Sequence, residues 1–578
     1  MIIFVSITRN IFDMKKILAF FIVFSFIPFA AADNFPGIDH IDIQYGSKVA
    51  RMERKASLPD YLNNKTCAEY SNTGISGLTV KLTSAVSYLS GKKVTEHLVE
   101  ISSKQKLTED LTVRFPVKSL ENPGRLTLPL KSGILFEGTV DDLQLAGYRS
   151  SGMQEKPAND LALPLFIAAR PKGENNAVLT DPFFSSYYEK GYLRWCYPKT
   201  VGLEDAIERR TIIEIEGVDD IEQGMELYYQ TILKDVPAGP DWMKDIAMIS
   251  YDYMSDGGRG WYNDIDELTS LTTPEDRHKI ALCMHGWYDI VGRYCFDPEK
   301  GELDEKWTNR IRGIELSLAG LHERIRYAKE KGYRVLMYFA DGVLASRGLP
   351  DYVESEAIFG DAWNGPDILG GPYYRNILFP RQYDFFRGYA KALFTEFAPE
   401  VDGFVWDETF YITADNNGTA RKPGYMARTQ MRLVKEIAAI LHSVAPDKAF
   451  FTSDLIAGEG HGGNNVPPYC MMADGTYQDS HSKPEFWSYG IFPNYRNVMW
   501  SCNWTAVSTF KHTVFAAENY NTPVVFTNGW GDDKGLAEMT PEERGVFMKL
   551  FDYRKQFRTK IRYFKALPLY YEAAPASQ

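Results

Sequence analysis

At 578 residues the chain is too long for one small core, so two domains are the first expectation. A hydrophobic content of 44% and a charged content of 24% are those of a globular protein. The formal net charge of −12 is spread along the chain, which argues against nucleic-acid or anionic-membrane partners, since both favour basic patches.

The first segment reads as an export signal. Met14-Lys15-Lys16 precedes an apolar run from Ile17 to Phe29, and Ala30-Ala31-Ala32 follows with the small-residue pattern of a cleavage site. Residues 1–32 are therefore expected to be removed on export to a periplasmic or extracellular location. No cysteine follows the apolar run and no second long apolar stretch appears, so no membrane anchor is expected.

Residues 33–235 lack long helical periodicity. Strand-like runs at 75–88, 97–101, 111–115, 125–130, 161–169 and 211–217 are separated by polar, Gly and Pro signals, which predicts a β-sandwich. The six cysteines show no C-x-x-C spacing, so no zinc motif is read; Cys67 and Cys196 are the pair that an oxidising compartment could join. Asp235 to Asp241, with two prolines and a glycine, reads as a linker.

Beyond it, strands alternate with helices over residues 241–560. The strand candidates are 245–251, 279–286, 333–340, 402–407, 448–454, 469–474, 497–501 and 523–528. Ile311, Ile314, Leu318, Leu321, Ile325 and Ala328 recur at spacings of three and four, which predicts one buried helical face, ended by Gly332. Thr540-Pro541-Glu542-Glu543 reads as a capping box opening the last helix. Eight strands over this length fit a (β/α)8 TIM barrel, with 561–578 as a tail. A doubly wound sheet is the runner-up, but no glycine-rich phosphate loop follows the first strand.

In such a barrel, chemistry collects at the C-terminal strand ends. Those ends carry Asp252, then His285 with Trp287 and Asp289, Asp341, Asp407-Glu408, Asp454, Asp474, Trp500, and Asn528 with Trp530. A structural barrel has little reason to gather so many acids, because a buried carboxylate is costly unless it is paired or used. Histidine is too sparse there for zinc, and no nucleophilic-serine motif occurs, so no cofactor is expected, although carboxylates leave a calcium ion open.

Facing carboxylates are what glycoside hydrolysis requires: one ionised to attack or stabilise an oxocarbenium-like centre, the other protonated to donate to the leaving oxygen. The 11 Trp, 35 Tyr and 34 Phe also suit sugar recognition, because apolar sugar faces lie on aromatic rings. Asp407 is the first candidate nucleophile. Asp252, His285, Trp287, Asp289, Asp341, Glu408, Asp454, Trp500, Asn528 and Trp530 are candidate substrate-binding residues. If Asp407 points into the mouth, Val405 shares its face while Trp406 points outward as core packing.

The combination of a β-sandwich with a barrel bearing Asp at the fourth and sixth strand tips resembles the retaining α-glycosidases of clan D and the related family 31. That resemblance implies Asp407 in FVWDE as the nucleophile and Asp474 in MMADG as the acid/base, with carboxyls about 5–5.5 Å apart. The chain departs from the clan D pattern at Val405, where a Lys is common. It departs from family 31 as well, having Trp406 directly before the Asp and Glu408 after it. Asp454 and Asp479 remain rivals for the acid role, and Glu408 for the catalytic one. The expected function is a secreted glycosidase acting on an oligosaccharide or polysaccharide; the alternative is a non-catalytic carbohydrate-binding barrel.

Overall fold

The computed structural model describes residues 38–565, apart from internal segments of which 143–162, 198–206, 410–422, 454–470, 480–495 and 503–522 are the longest. The expected export signal, Asp454 and Trp530 lie outside the described residues.

The N-terminal region is β-rich, as its turn-punctuated sequence predicts. One hydrogen-bonded order runs through fourteen described strands, beginning at Tyr187–Glu189 and ending at Phe564–Lys565. Its longest hairpin joins Leu78–Leu89 to Lys92–Ser103. Ser90 and Gly91 both have positive φ (51° and 79°), the backbone that a two-residue hairpin turn demands. Leu78, Val80 and Leu82 alternate inward along this strand. Trp195 near one end of the strand order shares an apolar cluster with Leu126 and Phe136 near the other, so the sheet doubles over on itself. No disulfide joins Cys67 and Cys196, whose strands are separated in the sheet by three others. The segment expected as a tail contributes Phe564–Lys565, which pairs in parallel with Ile134–Gly138.

Helix Ile221–Thr231 follows, capped by Asp220, whose side chain accepts from Gln223 N. The expected linker is packed rather than free. A Cβ on Gly239 would stand 2.8 Å from the Asp474 carbonyl, so only glycine lets the chain pass this close beneath the second domain.

That domain is built on eight parallel strands: β1 Met248–Asp252, β2 Ile280–Met284, β3 Arg334–Asp341, β4 Gly403–Asp407, β5 Ala449–Ser453, β6 Gly475–Asp479, β7 Val498–Cys502 and β8 Val524–Asn528. Neighbours in sequence are neighbours in the sheet, and β8 returns to pair with β1. No ladder between β7 and β8 is among the described pairings. Met243, Ile249, Tyr251, Cys283, Leu336, Val405, Phe451, Val498 and Trp500 fill the inner face. Phe404 and Trp406 point outward instead, Phe404 onto Phe394 of helix Pro380–Phe397. This is the alternation read from sequence.

Two elements differ from expectation. The helix before β3 starts only at Leu318, where Ser317 caps it by accepting from Gly320 N at 3.1 Å. Ile314–Ser317 is instead a strand paired with Lys306–Asn309, although Leu321, Ile325 and Ala328 do face the core. The sixth strand is the larger correction. The apolar run at 469–474 precedes it, and the strand itself is Gly475–Asp479.

Candidate active site at the C-terminal ends of the parallel strands

The displacement of β6 moves Asp474 to the wrong end of the sheet for chemistry. Asp474 precedes the strand and is 1% exposed. Its carboxylate accepts from Phe450 N at 2.7 Å and lies 2.9 Å from His442 Nε2. Phe450 pairs in register with Phe404, three residues before Asp407, which puts Asp474 roughly 10 Å down the strands from the Asp407 tip. The Asp407–Asp474 pair is thereby overturned. Asp474 ties β5 and β6 to helix Pro423–Val444 at the N-terminal end. Burial raises the Asp474 carboxyl above its ordinary range against the opposing pull of His442. Burial alone would lower the His442 imidazole, but the hydrogen bond and charge of Asp474 outweigh it and raise it.

The C-terminal ends do converge on Asp407. Its Oδ1 accepts from Glu408 N at 2.9 Å and from Ser453 Oγ, at the end of β5, at 3.2 Å. Its Oδ2 lies 3.7 Å from His285 Nε2. The carboxylate is therefore held from β2, β4 and β5, and its side chain is 13% exposed. Glu408 sits at φ +43°, a strained backbone for a non-glycine residue and one that clusters at functional sites. The turn is clamped by Gly342 N, which donates to Asp407 O at 2.6 Å, and by Trp406 Nε1, which donates to Gly342 O.

Asp341 is the register partner of Asp407 on β3. A bulge between Tyr338 and Ala340 shifts the ladder, so Tyr338 and Asp341 both fall on the inner face although they are three residues apart. Burial first, then the charges of Asp341 and Asp407 among others, push the Tyr338 phenol well above its ordinary value. Asp252 ends β1 as the partner of Asn528 on β8, and its Oδ1 accepts from Met254 N at 2.7 Å.

Three expected sugar contacts are core instead. Trp287 is fully buried, donates Nε1–H to Tyr338 O and packs edge-on to Trp307. Asp289 is buried against the Arg293 guanidinium and accepts from Cys295 N at 2.7 Å, which folds its loop onto itself. Trp500 stacks on Phe451 at 4.2 Å inside the sheet, filling the interior below the tips.

Residues that sequence reading passed over include Ser453, Tyr253 and Tyr338. Ser453 carries a signal, being the last residue of an apolar strand. Tyr338 carries one too, lying two residues after the inward Leu336 of β3. Asp479 closes β6 at its C-terminal end, paired with Cys502 of β7. Among the described residues, no group of three or more His, Cys, Asp or Glu is placed to hold a metal ion. No helix among them is long and apolar enough to cross a membrane.

Comparison with solved structures agrees with this architecture. The GH36 α-galactosidase AgaA from Geobacillus stearothermophilus aligns over 90% of this chain and 76% of its own, with 10% identity and a TM-score of 0.50. A variant of AgaA in complex with raffinose gives 9% identity, the same coverages and 0.50. The galactosidase domain of the α-galactosidase-sucrose kinase AgaSK gives 11% identity, 89% and 74% coverage, and 0.50. The chain has the fold of a family 36 α-galactosidase. No family profile matches the chain, and no characterised protein matches it in sequence. At these identities the likeness is one of fold, shared with α-galactosidases of family 36.

Proposed function

We propose that this chain is an exported retaining glycosidase on a closed (β/α)8 barrel, with Asp407 as nucleophile and Asp479 as acid/base. The observation that carries the reading is the holding of Asp407. At the tip of β4, in a fold shared with α-galactosidases, Oδ1 accepts from two donors, which orients the carboxylate for attack on an anomeric carbon. Asp479 takes the role first given to Asp474 because it ends β6 at the same end of the sheet as Asp407. In the first step Asp407 forms a glycosyl ester while Asp479 protonates the departing oxygen. In the second, Asp479 takes a proton from water, which displaces Asp407. Binding of sugar hydroxyls is assigned to Asp252 and Asp341, which end β1 and β3, and an α-linked oligosaccharide such as an α-galactoside is the first substrate class to try.

The test is turnover of a panel of aryl α- and β-glycosides, with the first-formed anomer read by NMR. Retention with one α-series is expected. Asp407→Ala should lose turnover by several orders of magnitude and, with azide, convert an α-glycoside to the β-glycosyl azide. Asp479→Ala should spare substrates with good leaving groups far more than poor ones. Inversion would overturn the nucleophile assignment. Saturable sugar binding without turnover would make the chain a carbohydrate-binding barrel.

A further inference from the structure

His285 is the one imidazole at the described strand ends, and its setting is unusually specific. Its backbone N–H donates to Asp252 O at 2.8 Å. Gly286 follows at φ +65°, where a Cβ would stand 2.2 Å from Tyr253 O, so the β1 and β2 ends are locked together. The ring lies between Tyr253 (centroids 4.0 Å apart) and Tyr338 (3.9 Å), and the residue is 6% exposed. The faces of two phenol rings favour a cation placed against them.

We propose that His285 is a positioning residue that works as an imidazolium, holding Asp407 ionised and oriented. The proposal rests on Asp407 being the attacking carboxylate. The groups against His285 are the Asp252 carbonyl and the Tyr253 ring from the β1 end, Tyr338 from β3, the Asp407 carboxylate from β4, and Tyr288 from its own loop. Asp341 is the register partner of Asp407, and neighbouring acids disfavour ionisation of one another. A cation 3.7 Å from Oδ2 offsets that effect on the carboxylate that must attack. The contact exceeds hydrogen-bonding distance, so the imidazolium acts on Oδ2 through its charge.

Replacing the cation leaves a testable signature. His285→Gln keeps a polar side chain of similar reach but removes the charge. Its acid limb of kcat/KM should move to higher pH by about one unit or more, and activity should recover toward the wild-type value above that limb. A uniform loss at every pH with the limb unmoved, or a raised KM at unchanged kcat, would overturn the proposal. A second measurement does not depend on turnover. With selectively labelled imidazoles among the nine histidines, Asp407→Asn should make His285 lose its proton at lower pH than in the wild-type chain. An unchanged His285 titration would overturn the proposal. A shifted titration in a chain that hydrolyses no glycoside would uphold the pairing and sink the glycosidase reading alone.

Discussion

Replacing Asp474 by Ala should damage folding and leave the chemistry of the folded protein intact. The carboxylate is buried and serves two donors, Phe450 N and His442 Nε2. Deleting it strands a buried backbone N–H, which costs about 1–3 kcal/mol. It also removes the partner of His442, whose side chain is 11% exposed. Breaking a buried pair costs about 3–5 kcal/mol when the remaining charge cannot escape, but an imidazole can shed its proton near neutrality, so this part shrinks to about 1 kcal/mol. The sum is about 2–4 kcal/mol, several times the effect of a typical surface substitution. It should appear as a lowered urea midpoint for the parallel-strand domain with an unchanged slope. kcat measured well below that midpoint should match wild type. A variant as stable as wild type but catalytically dead would refute the placement of Asp474 at the N-terminal end and restore it as the acid/base.

The same pair gives a pH prediction. The His442 imidazole is raised in the folded protein, so its stabilisation is fully present below the ordinary histidine value and fades as pH rises through the folded one. The thermal midpoints of wild type and His442→Gln should therefore converge as pH is taken upward from 6.5. Trp500→Ala empties the interior against Phe451 and should cost about 3–5 kcal/mol by denaturant unfolding, where a solvent-facing sugar platform would cost little. Thr540→Ala removes the capping box that Thr540 and Glu543 form at helix Pro541–Arg554, for a loss of about 1 kcal/mol in the same assay.

Local patterns were legible wherever burial and local backbone chemistry agree. The alternation Phe404, Val405, Trp406, Asp407 places two rings outward and the acid inward, and the capping box at Thr540 forms as read. Seven of the eight parallel strands lie within about three residues of their apolar runs, because a strand covered on both faces has to be apolar throughout. The sixth does not. Tyr469 to Asp474 is as apolar as a strand, but Met471, Met472 and Ala473 are buried beneath the sheet, and the ladder is formed by the more polar Gly475–Asp479. Burial alone cannot distinguish these cases; hydrogen bonding across the sheet does. That five-residue displacement carries Asp474 from one end of the sheet to the other and puts Asp479 at the tip.

The rest of the site needed contacts between distant segments. Ser453 reaches Asp407 across 46 residues and His285 reaches it across 122, spacings that no local pattern encodes. Asp341 shares the inner face with Tyr338 only because a bulge breaks the two-residue period of β3. The sequence by itself determined which residue types were available at the strand ends and that the acids among them called for a use. Which acids face the mouth, and which close the other end of the sheet, was decided by strand register, a property of paired chains that is absent from any one of them.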